Sequence, residues 1–202
     1  MKGKMKPKII FDLSEVLILG LVGVEKYLSP ILDFPENEIL QCFGGKLLEN
    51  ICQGKISEDV YLEQIVENQK WQIQIGTLKT KIRENFHQEV EGSKAILAHL
   101  VNKYEVVLLS DHAKEWVVYI KIIHPFLGVF RRTFFSYELG KTKKEPETFK
   151  EVLKKMNYKA EECWLIDDSA RNIEIADSVG INGIQFNNAG QLEEELISQS
   201  IW

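Results

Sequence analysis

Acidic side chains stand at the ends of three short apolar runs of this sequence. Asp12 closes the first run, the pair Ser110-Asp111 closes the second, and the pair Asp167-Asp168 closes the third. Carboxylates that converge on one point repel one another unless a cation neutralises them. Carboxylate and carbonyl oxygens are the ligands of hard divalent ions, and Mg²⁺ is the usual choice beside phosphate. If the three run ends meet in space, the sequence therefore predicts a magnesium site.

A lysine cluster, Lys141, Lys143 and Lys144, lies between the second and third of these acidic positions. One inward-turned lysine would balance the remaining negative charge and attract an anionic substrate. A carboxylate near such a bound phosphate ester can attack phosphorus and form an aspartyl-phosphate. The residue types thus favour phosphoryl transfer to an aspartate, with a small phosphorylated metabolite as the partner.

The apolar runs have the length and composition of buried strands. Residues 8–11, 106–109 and 163–166 form three of them, and residues 134–135 and 181–186 indicate two more. Helical patterns separate the strands after about residue 90, which is typical of a doubly wound parallel sheet in an α/β domain. Ligands of such sheets bind at the carboxyl ends of the strands, where the acidic residues stand.

A long segment of helical pattern separates the first strand from the rest of the chain. It starts at about residue 16, and its prolines and glycines divide it into several helices. Ser57 is expected to be the N-cap of one of them. We predict a core domain formed by residues 1–15 and 86–202, with residues 16–85 inserted as an α-helical cap.

Length, charge and hydropathy exclude some classes of protein. The chain has 202 residues, 45% of them hydrophobic, which is enough to bury a core. A net charge of −5, with acids and bases mixed, argues against a nucleic-acid binder. The apolar run Val16–Val24 is too short to span a bilayer, so no membrane association is expected. We interpret Lys2, Lys4, Lys6 and Lys8 as a solvated tail leading into a buried strand.

The three cysteines, Cys42, Cys52 and Cys163, are odd in number and lack CxxC spacing. This pattern favours neither a disulfide framework nor a zinc site. We expect three buried, reduced thiols in a cytoplasmic protein. The sequence does not distinguish a monomer from a homodimer.

Four segments, in order along the chain, resemble the motifs of the haloacid dehalogenase superfamily. FDLSEVL is similar to the first motif, whose leading aspartate, here Asp12, is the nucleophile. LLSD resembles the second, in which Ser110 and its neighbour Asp111 would hold the phosphate. SYELGKTKKEPETF resembles the third region and places Lys143 on the family's catalytic lysine.

The fourth segment, WLIDDSARNIEIADSVGI, resembles the family's metal-binding motif. The resemblance implies Mg²⁺ held by Asp168 first, Asp167 second, Asp12 and the backbone carbonyl of Ser14. The helical insertion resembles the cap of subfamily IA, which includes small-metabolite phosphatases and haloacid dehalogenases. The resemblance covers the whole chain and implies a Rossmann-like core with phosphatase activity.

One position departs from the family pattern. Phosphatases of this superfamily usually carry a second aspartate two residues after the nucleophile, which protonates the leaving oxygen, and here that residue is Ser14. General acid–base catalysis contributes roughly 10²–10⁴-fold, so a slower reaction is expected unless another group substitutes. Glu15 and His112 are the nearby candidates.

Each acidic strand end also has a purely structural interpretation. Asp12, Ser110 or the pair Asp167-Asp168 could be the N-cap of a following helix. The four histidines, together with Trp71 and Phe86, are expected as core, surface or cap residues rather than as metal ligands.

Three functions follow from these observations. The first is a Mg²⁺-dependent phosphomonoester hydrolase that uses Asp12 as the nucleophile. The second is a silent or very slow homologue that binds a phosphorylated ligand or a protein partner, suggested by Ser14 and Asp111. The family more often has asparagine at the position of Asp111, and a phosphate site gains nothing from an added carboxylate, so Asp111 either points away or tunes the substrate preference. The third is haloacid dehalogenation, which uses no metal; an unneutralised Asp167-Asp168 pair argues against it.

Overall fold

The strands and helices of the protein come from a computed structural model, which describes residues 6–202. The strands are β1 (Lys8–Phe11), β2 (Glu105–Ser110), β3 (Arg132–Phe135), β4 (Cys163–Asp167) and β5 (Asn182–Gln185). The helices are α1 (Val24–Leu32), α2 (Glu36–Cys42), α3 (Gly45–Cys52), α4 (Glu58–Gln69), α5 (Ile75–Phe86), α6 (Ser93–Val101), α7 (Lys114–Ile123), α8 (Ser136–Leu139), α9 (Pro146–Met156), α10 (Ala170–Ser178) and α11 (Ala189–Ser198), with 3-10 turns at Pro125–Val129 and Ala160–Glu162.

The five strands are all parallel and form one sheet in the order β3-β2-β1-β4-β5. This confirms the predicted doubly wound α/β fold. From β1 the chain builds β2 and β3 on one side and then crosses to β4 on the other. The crevice of a doubly wound sheet opens where the strand order reverses in this way, here between β1 and β4.

Both faces of the sheet are covered, as the continuous apolar strands require. Alternate residues of β1 enter two separate hydrophobic clusters, Ile9 and Phe11 on one face and Ile10 on the other. All three side chains are fully buried. This packing fixes the register of β1 and hence the position of Asp12, the next residue, at the carboxyl edge.

Helices α1 to α5 occupy the long segment between β1 and α6. The predicted helical pattern from residue 16 is wrong for residues 16–23, because helix begins only at Val24. Instead, the segment folds back at the end of β1: Ile18 forms bridges with Ser14 and Glu89. Val16, Leu17 and Ile18 are fully buried by tertiary packing, which a helical periodicity cannot reveal, whereas Val22 is 47% exposed. The division of the chain into a core and a cap stays a prediction.

The predicted helix cap is confirmed, whereas the predictions for the cysteines and for the lysine tail are confirmed only in part. Ser57 is the N-cap of α4, and its hydroxyl accepts from the backbone N–H of Val60. The cysteines are free thiols, but Cys42, at the end of α2, is only partly buried. Lys2 and Lys4 of the expected tail lie outside the described residues, whereas Lys8 belongs to β1. In the part of the chain from residue 6 onward, no helix is long and apolar enough to cross a membrane.

Candidate active site

Asp12 lies at the carboxyl end of the central strand, in the crevice between β1 and β4. Its backbone N–H donates to the carbonyl of Ile166 at 2.9 Å, which continues the ladder one residue beyond β1. The N–H of Leu13 donates to Asp12 Oδ1 at 2.7 Å. The carboxylate is only 5% exposed, and burial raises its pKa to about 7, an effect that Lys143 opposes.

Lys143 is the one member of the lysine cluster that turns inward. Its Nζ lies 2.7 Å from Asp12 Oδ2 and 2.6 Å from Asp167 Oδ2, and the residue is 1% exposed. Burial would lower the pKa of Lys143, but Asp12 and Asp167 outweigh it and raise the pKa above its ordinary value. The lysine is therefore a fixed positive charge beside Asp12. Lys141 pairs with Glu151 instead, and Lys144 is exposed.

Asp167 is fully buried, and its oxygens are engaged by three donors. Oδ2 accepts from Lys143, while Oδ1 accepts from the N–H of Ser169 at 2.9 Å and from Asn172 Nδ2 at 3.0 Å. The bond to Ser169 is that of a turn-forming aspartate. With these partners Asp167 is suited to hold Lys143 in place.

Asp168 completes an acidic cluster with Asp12 and Asp167. One carboxylate oxygen from each of the three lies within 4.8 Å of the other two. Asp168 makes no hydrogen bond to another side chain among residues 6–202 and is partly exposed, which leaves it available to an ion. Burial raises the pKa of Asp168, as expected for carboxylates that gather without a cation. Three close carboxylates with one lysine fit a hard divalent cation.

The N-cap interpretation is wrong for Asp12, Ser110 and the acidic pair, although Asp167 does form the turn that was the other structural interpretation of that pair. The N-cap of α7 is Ala113, three residues after Ser110, and the N-cap of α10 is Ser169. No helix follows Asp12 until Val24. None of these polar residues is therefore committed to capping a helix.

Ser110 and Asp111 follow one another at the end of β2, next to β1. Ser110 is 1% exposed, and its Oγ has no hydrogen-bond partner among the described residues. A buried hydroxyl without a partner costs free energy, so this atom is suited to receive a ligand oxygen. Both carboxylate oxygens of Asp111 lie 3.1 Å from the backbone nitrogen of Lys143. Burial raises the pKa of Asp111 to about 6.

Ser14 and His112 form a hydrogen-bonded pair, with 2.7 Å between Oγ and Nε2. His112 is buried, and burial lowers its pKa to about 3, so the imidazole is neutral at pH 7. Of the two candidates to replace the missing acid, His112 therefore touches Ser14 but has no proton to give readily.

Glu15, the other candidate, is directed elsewhere. Its Oε1 accepts from the N–H of Gly20 at 2.9 Å and from the N–H of Val22 at 3.3 Å. Its backbone has a φ of 60°, a conformation that is uncommon for a residue with a Cβ. Burial raises the pKa of Glu15 to about 7. The carboxylate closes the loop before α1.

A cavity of about 200 Å³ opens beside these residues, between the inserted helices and the sheet. Its apolar wall comes from both parts of the chain: Leu21, Leu48, Cys52, Phe86 and Trp116. Its polar lining includes Ser14, Asp111, His112, Thr142, Glu49 and Lys144. Asp12 does not line the cavity itself, but Ser14 follows it by two residues, so the cavity is placed to receive the part of a substrate beyond its reacting atom.

The structure thus brings Asp12, Lys143, Asp167 and Asp168 together, with Ser14, Ser110 and Asp111 at their border. Sequence reasoning missed two supporting residues, Asn172 and Ser136. Asn172 lies four residues after Asp168, about one helical turn, and this spacing could have indicated it. Ser136 accepts from the N–H of His112 and donates to the carbonyl of Cys52, and no sequence signal points to these contacts.

Comparison with known proteins relates the chain to hydrolases. A family model described as haloacid dehalogenase-like hydrolase matches residues 9–186. Flavin mononucleotide hydrolase 1 of Arabidopsis thaliana chloroplasts is 36% identical over 191 residues, which cover 94% of this chain and 76% of that protein. D-ribitol-5-phosphate phosphatase of Bacteroides thetaiotaomicron is 25% identical over 201 residues, which cover 95% and 97% of the two chains.

Solved structures share the fold at low sequence identity. An enzyme of the same family from Bacteroides thetaiotaomicron, in complex with magnesium and inorganic phosphate, superposes with a TM-score of 0.71 and 22% identity, covering 91% of this chain and 96% of that one. L-2-haloacid dehalogenase from Xanthobacter autotrophicus superposes with a TM-score of 0.69 and 14% identity, covering 98% and 85%.

Proposed function

Because the chain belongs to the haloacid dehalogenase-like hydrolases, we propose that it is a Mg²⁺-dependent phosphomonoester hydrolase acting through Asp12. The observation that carries the proposal is the contact between Asp12 and Lys143 inside the acidic cluster. A carboxylate held by a buried lysine, next to two further carboxylates, matches the needs of phosphoryl transfer to an aspartate.

The ion-binding groups are assigned by chemistry and position. Asp12, Asp168 and the backbone carbonyl of Ser14 would hold Mg²⁺, with Asp167 as the second-choice ligand because its oxygens already have partners. When bound, Mg²⁺ supplies positive charge that offsets the phosphoryl group and the carboxylates. A relative's structure with magnesium and phosphate supports this choice of ion.

Four side chains of this protein perform the chemistry. Asp12 attacks phosphorus and forms an aspartyl-phosphate, which water then hydrolyses. Lys143 binds a phosphoryl oxygen while Asp167 keeps its Nζ in place. Ser110, whose hydroxyl has no partner in the described chain, donates to a second phosphoryl oxygen. Residues 16–85, which contain helices α1 to α4 and all of α5 except Phe86, act as the cap that covers the alcohol part of the substrate.

The substrate class follows from the relatives and the cavity. Flavin mononucleotide and D-ribitol 5-phosphate, which the two relatives are named for, both carry a phosphate on the terminal carbon of a ribityl chain. We propose a primary phosphate ester of this kind. Drug-sized ligands occupy pockets of about 300–1,000 Å³, so a cavity of about 200 Å³ favours a polyol phosphate over the flavin.

The test is phosphate release from D-ribitol 5-phosphate, flavin mononucleotide and p-nitrophenyl phosphate, with and without Mg²⁺. We expect Mg²⁺-dependent turnover with the wild-type chain and none with Asp12→Asn. Asn is nearly isosteric and keeps an acceptor for Lys143, so it is a matched control. Absence of any Mg²⁺-dependent turnover above this control would overturn the proposal.

A second candidate is a silent or very slow homologue that binds a phosphorylated ligand. It is favoured by Ser14, whose hydroxyl contacts a neutral imidazole rather than an acid. Isothermal calorimetry with the same phosphates distinguishes the two functions. Binding without turnover supports the second candidate, and turnover excludes it.

A further inference from the structure

Asp111 is a partly buried acid at the border of the reaction site with no role in the mechanism so far. It follows Ser110 at the end of β2 and lines the cavity together with Ser14. Its two oxygens share the backbone N–H of Lys143, whose Nζ contacts Asp12. One residue, Lys143, thus connects Asp111 to the nucleophile, with its backbone on one side and its ammonium on the other.

A carboxylate in this position is unexpected for binding alone. An ionised Asp111 would repel a phosphate ester held by Ser110 and Lys143. A protonated Asp111 would instead be a hydrogen-bond donor towards that ester, since a carboxylic acid has one O–H. The backbone N–H of Lys143 would still find an acceptor in the other carboxyl oxygen.

The other candidate acids in the neighbourhood are occupied. The Ser14 hydroxyl is far too weak an acid, and it is hydrogen-bonded to His112. Glu15 is bound by the backbone N–H groups of Gly20 and Val22. Glu49, which lines the cavity from α3, forms an ion pair with Lys46. Asp111 is therefore the carboxyl best placed to move a proton in the cavity.

We propose that Asp111 is the general acid–base residue of the reaction, in the role that Ser14 leaves vacant. As Asp12 Oδ forms its bond to phosphorus, the bond from phosphorus to the leaving oxygen breaks and its electron pair stays on that oxygen. The Asp111 carboxyl proton passes to it and the alcohol departs. The Asp111 carboxylate then takes a proton from the water that attacks the phosphoryl group, which frees Asp12 and inorganic phosphate and restores the acid.

The electrostatic surroundings of Asp111 agree with this role. Burial raises its pKa to about 6, Asp167 adds to the rise, and Lys143 and Lys144 oppose it. A general acid works best when its pKa lies near the working pH. Below a pH of about 6, Asp111 of the free protein would be protonated. A bound phosphate dianion would raise the pKa of Asp111 and keep it protonated to higher pH.

The experiment compares leaving groups, and it rests on the proposed phosphatase function. Asp111→Asn keeps an oxygen that can accept from Lys143 but has no acidic proton. For D-ribitol 5-phosphate, whose alkoxide needs a proton, we expect kcat/KM to fall by about 10²-fold or more. For p-nitrophenyl phosphate, whose phenolate leaves unprotonated, the fall should stay below roughly 10-fold, because general acid catalysis contributes little there.

The outcomes separate the claims. An equal loss with both substrates, or no loss with either, overturns the role of Asp111 while leaving the phosphatase function intact. No wild-type turnover with either substrate overturns both. Glu49→Gln is the matched control, a second cavity carboxylate whose replacement should change kcat/KM for both substrates by one common factor.

If Asp111→Asn fails to fold, the wild-type pH profile decides: the ratio of kcat/KM for the alkyl ester to that for the aryl ester must fall as pH rises through the titration of Asp111.

Discussion

The hydroxyl of Ser14 lies 2.7 Å from Nε2 of His112, so the residue two places after Asp12 is held by a buried imidazole. Phe86 and Trp116 pack edge-to-face against that imidazole, with 6.2 Å between the ring centroids in each case. The pair joins the end of β1 to the end of β2. It fixes a neutral hydroxyl at the position where the motif that FDLSEVL resembles usually has an aspartate.

Ser14→Asp should increase the rate for alkyl phosphates. A carboxyl at this position supplies the acid that the family pattern places there. Because Asp111 already performs part of this task, we expect a gain on the order of 10-fold, below the 10²–10⁴-fold that general acid–base catalysis provides in full. The measurement is kcat/KM for D-ribitol 5-phosphate. Ser14→Asn, of the same size and without an acidic proton, should show no gain. A wild-type protein without activity beside a strongly active Ser14→Asp would identify a degraded site.

Asp167→Asn and Asp168→Asn should have different effects. Asp167 is fully buried and is the shared partner of Lys143, Ser169 and Asn172, so the loss of its charge leaves Lys143 with Asp12 alone. Breaking a buried ion pair of this kind costs on the order of 3 kcal/mol of unfolding free energy. Asp168 is partly exposed and lacks side-chain partners among the described residues. Asp168→Asn should leave stability nearly unchanged and remove the stabilisation by Mg²⁺.

Urea unfolding with and without Mg²⁺ measures both effects. Wild type should gain stability from Mg²⁺, because an ion that binds only the folded state stabilises it. Asp168→Asn should lose that gain. Asp167→Asn should have a lower free energy of unfolding without Mg²⁺ and should retain part of the gain when Mg²⁺ is added. The reverse pattern, with Asp167→Asn stable but insensitive to Mg²⁺, would exchange the roles of the two aspartates.

The residues that the sequence predicted best are those placed by a strand end. Asp12, Asp167 and Asp168 follow apolar strands, and the order of parallel strands brings such ends to one edge. Lys143 was indicated by its position in the third motif-like segment. For these residues the local pattern and the order of the strands predict the position in the fold. A residue at a strand end lies at the edge of the sheet whatever the orientation of its side chain.

Contacts between distant parts of the chain escaped prediction. Ser14 and His112 are 98 residues apart, and only the tertiary structure brings them together. The run beginning at Val16 has an apolar pattern that fits a helix, but the burial of Val16, Leu17 and Ile18 gives such a pattern without indicating a backbone conformation. It is a loop that packs against residues 88–90. Which of several carboxyls turns towards the cavity is likewise decided by backbone N–H groups that no spacing reveals.

Gly20→Ala should impair the site through Ser14. A Cβ at this position would lie 2.8 Å from Ser14 Oγ and 2.9 Å from Glu15 Oε1, which is closer than side chains pack. Relief requires the loop to move, at a cost of about 1–3 kcal/mol in stability. We expect lower kcat/KM together with a lower melting temperature.

Gly76→Ala is the control: it lies in α5 with no atom within 4 Å of the new Cβ, and should stabilise the helix by roughly 0.5–1 kcal/mol. Unchanged kinetics in Gly20→Ala would show that Ser14 tolerates displacement.

Glu58 should couple the inserted helices to the core through Trp116. It is buried in α4, where it accepts from Arg83 of α5 and from Trp116 Nε1 of α7, the latter at 2.8 Å. Trp116 also lines the cavity, so this hydrogen bond links the inserted helices to the proposed substrate site. Hydrogen bonds to charged groups contribute roughly 1.5–3 kcal/mol, and we expect Glu58→Gln to lose about that much stability and to raise KM more than it lowers kcat.

Trp116→Phe removes the N–H donor while keeping an aromatic ring. In a double-mutant cycle of unfolding free energies the two changes should be non-additive, because the second variant loses a bond that the first has already weakened. Additive losses with an unchanged KM would show that the inserted helices are held by their apolar contacts alone.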